Sequence, residues 1–224
     1  MSQAKPSSSP LMLSVSGMRG LVGESITPPL AARYAAAFGS WLKEVRDQRR
    51  PRVVVARDSR PSGPMFEHAV VAGLNAVGCR VVVLGIVTTP TAAVMVDHLE
   101  ADGGMIITAS HNPIVWNGIK AIDATGCAPP ADEARQIIER FHADQLDYVA
   151  VDDLQPIDRG DDATEVHVRR VLDHLDIDGI RKRGLKVVVD SVCGAGGDAA
   201  RRLLDALGVE LVHLHAEPTG RFPH

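Results

Sequence analysis

Cysteine is scarce in this sequence of 224 residues, and the three that occur, Cys79, Cys127 and Cys193, lie far apart. None belongs to a C-x-x-C pair, and their odd number disfavours a disulfide scaffold. The histidines form no H-E-x-x-H pattern, which disfavours a zinc site made by protein ligands alone. We therefore expect a reducing compartment and predict a cytoplasmic protein.

Positive charge is not in excess either, since 24 Lys and Arg face 28 Asp and Glu, for a net charge of −4. This balance disfavours nucleic acid or an anionic membrane as a partner, so an anionic ligand needs a local cluster of positive charge. No apolar run approaches the ~18 residues of a membrane span. The polar N-terminus lacks the apolar core of a secretory signal, and we predict a disordered tail over residues 1–11.

What the sequence does contain is a hydrophobic fraction of 45%, enough for a sizeable core. Thr27 and Pro28 open a helical pattern with one apolar stripe. Three short apolar strands follow, at 52–56, 80–84 and 105–108, and helical segments separate them. Strands of continuous apolar character alternating with helices predict an α/β fold with a mostly parallel sheet and helices on both faces.

The order strand, turn, helix, glycine, strand occurs twice, from Arg52 and again from Lys186, roughly 130 residues later. We therefore predict a duplicated domain, with the first copy over 12–150, a linker over the acidic stretch 151–163, and the second copy over 164–224. The second copy includes only two strands, so we expect it to be incomplete and to continue beyond His224.

The most informative stretch is 104–120, in which a buried strand runs into Ser110. Ligands of open parallel sheets bind at the carboxyl ends of the strands, which makes Ser110 a candidate nucleophile. His111, Asn112 and Lys120 could then supply proton transfer or hydrogen bonds. The alternative is a Ser-His-Asn-Pro turn that caps a helix.

Three motifs in this sequence are similar to those of the α-D-phosphohexomutases. The run 108–113 (TASHNP) followed by 117–120 (NGIK) resembles the active-site signature of that family. The run 16–20 (SGMRG) resembles its N-terminal loop, and 57–62 (RDSRPS) resembles a further turn. The likeness extends over the chain from Leu13.

The resemblance implies an isomerase that interconverts hexose 1-phosphates and 6-phosphates through a phosphoserine and a bisphosphorylated sugar. Ser110 would carry the phosphoryl group, Lys120 would be the general base with His111 assisting, and Arg19 would grip the phosphoryl oxygens. The remaining phosphate-binding candidates are Asn112, Asn117, Arg57 and Arg60. For the two arginines the alternative is an ion pair with Asp58 that fixes the turn.

The resemblance also implies a Mg²⁺ cofactor and a hexose 1,6-bisphosphate that serves as activator and intermediate. The family binds Mg²⁺ through an Asp-rich DGDxDR loop, which this sequence lacks, so the phosphoryl group on Ser110 is the metal ligand that the chain can offer. The expected partner is a small phosphosugar. Whether it is a glucosamine, mannose or glucose phosphate stays open, as does a homo-oligomeric state.

Three other functions compete with the mutase. The chain could be a catalytically silent fragment or regulatory module that keeps the fold. A serine hydrolase using Ser110 and His111 is a second alternative, although the sequence has no G-x-S-x-G elbow. The third is dinucleotide binding at the glycine-rich segment 194–197.

Overall fold

The computed structural model describes residues 10–160 and 162–224, and most of the predicted tail over 1–11 lies outside these residues. Within the described residues the first part of the chain forms β1 (Met12–Ser14), β2 (Gly17–Leu21), α1 (Pro28–Val45), β3 (Arg52–Arg57), α2 (Gly63–Ala76), β4 (Arg80–Ile86), α3 (Thr89–His98), β5 (Gly103–Ile107), β6 (Trp116–Asp123), α4 (Ala131–Ala143) and β7 (Ile157–Arg159). The second part forms α5 (Ala163–Leu172), α6 (Ile177–Arg181), β8 (Lys186–Asp190), α7 (Gly197–Ala206) and β9 (Glu210–Leu214).

Strands β1 to β7 form one mixed sheet in the order β1-β2-β6-β5-β3-β4-β7. The strands β5, β3, β4 and β7 are parallel neighbours, which confirms the predicted parallel sheet. The strands β1, β2 and β6 join the β5 side as antiparallel neighbours, an addition that the sequence patterns did not predict.

Helices cover both faces of this sheet, as predicted. Val53, Val55 and Ile107 point into a core shared with helices α1, α2 and α4. Val54 and Ile106 point to the opposite face, against α3 and the start of α5. Since successive side chains of a strand alternate between faces, the uninterrupted apolar runs follow from burial on both sides.

The second part repeats the βαβ arrangement of the first. Strands β8 and β9 are parallel and are joined through α7, in the way that α2 joins β3 to β4. The glycines that end the two helices, Gly78 and Gly208, both have a positive φ, +84° and +65°. The structure therefore confirms the predicted α/β fold class with a duplicated unit.

Two segments differ from the sequence-based predictions. The stretch 151–163, predicted as a linker, contains β7, which pairs with β4 at the edge of the first sheet. The segment after Ser110 leads into strand β6, so the alternative of a helix-capping turn is wrong. The antiparallel β6 escaped prediction because 116–123 mixes polar and apolar residues without the continuous character of the parallel strands.

The cysteines are free, and they occupy different environments: Cys79 is buried, Cys193 is half-buried and Cys127 is exposed. Burial raises the pKa of the Cys79 thiol to about 12, so this thiol stays protonated and inert at neutral pH. Across 10–160 and 162–224, no helix combines the length and apolar character that a membrane crossing requires.

Candidate active site

Ser110 lies in the loop between β5 and β6, at the carboxyl end of the parallel strands, with its side chain exposed. Its φ of +56° places a non-glycine residue in the left-handed region. Such a conformation costs of order 1–3 kcal/mol and persists where surrounding contacts enforce it, often at functional sites. The strain therefore singles out Ser110 as a candidate functional residue on structural grounds.

One small cavity of about 170 Å³ unites the four predicted catalytic residues. Arg19 comes from β2 and Lys120 from β6, two strands that pair with each other, while Ser110 and His111 come from the adjoining loop. The full lining is Ser16, Met18, Arg19, Thr108, Ala109, Ser110, His111 and Lys120. Two cationic side chains thus share one concave surface with the candidate nucleophile, which suits an anionic group such as phosphate.

Arg19 and Lys120 take part in none of the ion pairs formed by the described residues, whereas the nearby arginines Arg57 and Arg60 do. A cation without a carboxylate partner keeps its charge available to a ligand. These two side chains therefore form the local positive cluster that an anionic ligand requires in an acidic protein.

His111 lies next to Ser110, with 3.5 Å between its Nδ1 and the Ser110 Oγ. That separation is at the outer limit of a hydrogen bond. Within the part of the chain that the structure describes, His111 makes no hydrogen bond to a carboxylate that would orient it as in a hydrolytic triad. The geometry therefore supports an assisting role for His111 and disfavours the serine hydrolase alternative.

Arg60 is fully buried and is not available to a phosphate, which corrects its prediction as a phosphate-binding residue. Its Nε donates to Asp58 Oδ2 at 3.1 Å. Its two terminal nitrogens donate to four backbone carbonyls, those of Pro113, Trp116, Ser110 and Asn112. A guanidinium has five N–H donors, so these five hydrogen bonds use all of them. The alternative of a turn-fixing ion pair with Asp58 is the one that the structure supports.

Asn117 and Arg57 are likewise engaged within the protein. Asn117 is buried, donates to Ser62 Oγ at 2.8 Å and accepts from the backbone N–H of Gly118 at 2.8 Å. The Arg57 Nε lies 3.2 Å from Glu67 Oε2 in a mostly buried ion pair. Asn117 therefore fixes local structure, which argues against the prediction that it binds phosphate. Arg57 pairs with Glu67 and not with Asp58, and phosphate binding by Arg57 stays a prediction.

Asn112, the remaining binding candidate, lines a larger cavity of about 630 Å³ on the other side of Ser110. This cavity lies between the two units, because Val192, Arg221 and Phe222 from the second unit complete its wall. A space of this size fits a sugar phosphate. Sequence reasoning missed Arg221, and it also missed Ser16 in the smaller cavity, although Ser16 directly precedes the Gly-Met-Arg-Gly run.

No set of protein ligands for a metal accompanies Ser110. The described residues contain no group of three or more His, Cys, Asp or Glu side chains placed to hold an ion. Asp58, a carboxylate that lines a cavity together with Ser110, is occupied by Arg60 and by the hydroxyl of Thr108. Since Mg²⁺ demands near-octahedral oxygen ligands, these residues do not fit a resident Mg²⁺, and we assign no step to the ion.

The glycine-rich segment 194–197 leads into α7, but its surroundings are poorly suited to a dinucleotide. Asp198 and Glu217 line the adjacent cavity, and carboxylates repel a pyrophosphate. The cation there, Arg201, is paired with Asp198 at 2.7 Å. This arrangement disfavours the dinucleotide alternative.

Comparison with known families finds two matches that together span both units. The family described as phosphoglucomutase/phosphomannomutase, alpha/beta/alpha domain I, matches residues 11–147. The family described as phosphoglucomutase/phosphomannomutase, alpha/beta/alpha domain II, matches residues 165–224.

Individual proteins agree with these matches. A phosphoglucomutase/phosphomannomutase of Thermococcus kodakarensis is 37% identical over 92% of this chain and 45% of its own length. A phosphoglucosamine mutase of Limosilactobacillus fermentum is 37% identical over 91% of this chain and 45% of its own length. The crystal structure of a phosphoglucomutase/phosphomannomutase family protein from Burkholderia thailandensis superposes with a TM-score of 0.79 at 33% identity, over 95% of this chain and 46% of that one. The chain thus spans less than half the length of the relatives it matches.

Proposed function

Since this chain belongs to the phosphoglucomutase/phosphomannomutase family, we propose that it carries the phosphoserine of a phosphohexomutase that interconverts hexose 1-phosphate and hexose 6-phosphate. The observation that carries the proposal is the shared cavity of Ser110, Arg19, Lys120 and His111. In that cavity a nucleophilic hydroxyl, a guanidinium fork and an amine converge at the end of a parallel sheet.

The proposed reaction consists of two phosphoryl transfers that mirror each other. A free hydroxyl oxygen of the sugar monophosphate attacks the phosphorus on phospho-Ser110, and the bond between phosphorus and Oγ breaks. The attacking hydroxyl gives up its proton, and Oγ leaves with the electron pair and takes up a proton. The product is a hexose bisphosphate. After the sugar turns over, the Ser110 Oγ attacks its other phosphate, which regenerates phosphoserine and releases the isomeric monophosphate.

Lys120 is the group that we propose to accept and return the proton. A hydroxyl is a poor nucleophile unless a base removes its proton as the new bond forms. Lys120 projects from β6 into the same cavity as Ser110 and has no carboxylate partner among the described ion pairs. His111, at 3.5 Å from the Ser110 Oγ, lies close enough to assist the transfer.

Arg19 is proposed to hold the phosphoryl group as it moves. Charge spreads over the oxygens of a phosphoryl group in transfer, and a planar guanidinium can bind two of these oxygens at once. The hydroxyl of Ser16 lines the same cavity and could donate a further hydrogen bond. Both residues belong to the 16–20 segment, which is pinned by the pairing of β2 with β6.

The substrate class is proposed from the larger cavity. Its volume of about 630 Å³ and its position between the two units leave room for a sugar beside Ser110. Asn112 lines the wall on the first unit's side, and Arg221 lines it on the second unit's side. The names of the relatives point to hexose phosphates, among them glucosamine, mannose and glucose phosphates.

Phosphopeptide mapping tests this proposal. We expect incubation of the full chain with glucose 1,6-bisphosphate and Mg²⁺ to place phosphate on the peptide containing Ser110, and Ser110→Ala to abolish the label. Ser191→Ala serves as the matched control, because Ser191 also follows a parallel strand but lies in the second unit, where its hydroxyl bonds to His213. Labelling that survives Ser110→Ala would refute the proposal. A wild-type chain that stays unlabelled would favour the alternative of a catalytically silent fragment or regulatory module.

A further inference from the structure

The backbone of Ser110 is held on both sides by hydrogen bonds to neighbouring side chains. Its N–H donates to Thr108 Oγ1 at 3.0 Å, and the Thr108 hydroxyl donates to Asp58 Oδ2 at 2.7 Å. Its carbonyl accepts from Arg60 Nη2 at 3.0 Å. Asp58 and Arg60 also bond to each other, which closes a ring of contacts around the peptide of Ser110.

From this ring we propose that Arg60 is a positioning residue for phosphoryl transfer, which locks Ser110 in its left-handed conformation with the help of Asp58 and Thr108. The inference rests on the proposed function, because it assigns Arg60 a role in the reaction of Ser110. Arg60 acts through the Ser110 backbone and does not touch the sugar or the phosphoryl group.

Several carbonyl acceptors converge on the single guanidinium of Arg60. The four carbonyls that Arg60 binds belong to Ser110, Asn112, Pro113 and Trp116, so they span the whole loop from β5 to β6. Carbonyl oxygens aligned toward one point repel each other unless a cation lies among them. A buried arginine supplies that cation and fixes each acceptor by a directional bond.

The conformation of Ser110 is strained and needs this support. A residue with a side chain loses roughly 1–2 kcal/mol in the left-handed region. The loop on its own would relax to a lower-energy conformation and would turn the Ser110 side chain away from Arg19 and Lys120. Reacting groups must be held in a narrow geometry, since an error of about 1 Å can cost ~100-fold in rate.

The second unit covers Arg60 and the turn that contains it. The ring of Phe222 lies 5.1 Å from the guanidinium carbon. The Ser59 hydroxyl, one residue before Arg60, donates to the carbonyl of Cys193 at 2.9 Å. The second unit thus packs against the turn that holds Ser110, and this packing keeps water away from the guanidinium of Arg60.

The test compares Arg60→Lys with the wild type by two independent readouts on the full chain. Lysine keeps the charge but offers three rotatable donors in place of a five-donor fork. Without any sugar, we expect hydrogen exchange of the amides in 109–116 to become at least ~10-fold faster in Arg60→Lys, while β3 and β5 keep their protection. With glucose 1,6-bisphosphate, we expect the rate of Ser110 phosphorylation to fall by ~10- to 100-fold.

Thr108→Val is the second variant, because it removes the hydroxyl that binds the Ser110 N–H with little change in volume, and it should show the same two effects. Arg80→Lys is the matched control, since Arg80 pairs with Asp158 through the same Nε geometry on the far edge of the sheet. Unchanged loop exchange in both test variants would overturn the proposal even if the wild type is never phosphorylated. Slower phosphorylation with unchanged loop exchange would also overturn the role proposed for Arg60. If the wild type stays unlabelled but the variants show faster loop exchange, only the proposed function is refuted.

Discussion

At the scale of single residues, Ser110 combines an exposed hydroxyl with a backbone conformation that favours glycine. Its φ is +56°, and the cost of that value falls on any residue with a Cβ. The protein retains a serine there and surrounds its peptide with hydrogen bonds. The hydroxyl of Ser110 has therefore been retained at the expense of local stability, a trade-off that is usual at reactive sites.

The strained backbone of Ser110 predicts the relative stability of two substitutions at this position. Ser110→Gly should be more stable than Ser110→Ala by about 1 kcal/mol, because glycine adopts the left-handed region without strain. Urea unfolding of both variants measures the difference. At Ser14, an exposed residue of β1 outside the positive-φ group, the order should reverse and alanine should be the more stable. Equal stabilities at Ser110 would mean that the loop carries no strain.

Arg19 provides a second test at this scale. Removing its guanidinium in Arg19→Ala should slow phosphorylation of Ser110 by ~100-fold, since one charged donor to a transferring group is worth that order. Arg19→Lys should retain part of the rate, because it keeps the charge and loses the bidentate fork. Quantitative phosphopeptide kinetics measures both variants. Arg49→Ala is the control, as the Arg49 side chain is 89% exposed, and a rate for Arg19→Ala equal to that of this control would contradict the assigned role.

At the scale of elements, a histidine joins the two units through their helices. His167 on α5 places its Nδ1 2.9 Å from the hydroxyl of Thr91 on α3. Burial lowers the pKa of His167 below its ordinary value of 6.5. The folded state therefore binds the proton more weakly than the unfolded state does, so protonation favours unfolding.

The sign of this shift predicts a pH dependence. The contribution of His167 is fully present above pH 6.5 and is lost as the pH falls toward its lowered folded value. The free energy of unfolding should therefore drop more between pH 7.5 and pH 5.5 in the wild type than in His167→Gln, which cannot take up a proton. Urea unfolding at the two pH values measures the drop in each protein, and equal drops would contradict the assignment.

The elements also show how far sequence patterns reach. The strands β3, β4 and β5 were predictable because continuous apolar runs and glycine stops indicate burial on two faces. Strands β8 and β9 have the same sequence pattern, although alternate residues of both are exposed in this structure. Strand β6 was not predictable, since its sequence mixes polar and apolar residues and its partner β2 lies about a hundred residues earlier. The short strand β7 pairs through backbone groups at a sheet edge, a contact that leaves little trace in side-chain composition.

The candidate site divides in the same way. The motifs around Arg19, Ser110 and Lys120 carried enough information to predict that these three residues belong to one site, and they line one cavity. The burial of Arg60 and Asn117 could not be predicted, because an arginine between Ser and Pro and an asparagine before Gly look like exposed turn residues. Their function as internal supports depends on partners far along the chain, which only the folded protein brings together. Arg60 donates to the carbonyls of Trp116 and Asn112, and Asn117 donates to the hydroxyl of Ser62.

At the scale of the whole molecule, the final segment of the second unit, around Gly220, packs against the turn formed by Ser59 and Arg60. The N–H of Gly220 donates to the carbonyl of Cys193, which also accepts from the Ser59 hydroxyl. Gly220 has a φ of +69°, and a Cβ at this position would lie 2.0 Å from the Ser59 carbonyl oxygen. The close approach of two backbones therefore requires glycine for two reasons, the conformation and the space.

Two alanine substitutions separate the effect of the backbone conformation at Gly220 from the effect of the limited space there. Gly85 has a similar φ of +72° but no atom within 4 Å of an added Cβ. Gly85→Ala should lose about 1 kcal/mol from backbone strain alone. Gly220→Ala should lose about 1–3 kcal/mol more, because the Cβ pushes the final segment off the Ser59 turn. Urea unfolding measures both, and equal losses would contradict the docking described for Gly220.

The central claim is that Ser110 holds a phosphoryl group and passes it to a sugar. A single-turnover chase tests it most directly: the chain is labelled on Ser110 with ³²P from glucose 1,6-bisphosphate, freed of sugar, and mixed with unlabelled glucose 1-phosphate. We predict that the label leaves Ser110 and appears in hexose bisphosphate, and that Lys120→Ala retains the label at least ~100 times longer. Label that stays on Ser110 in the wild type, or that leaves only as inorganic phosphate, would contradict the account.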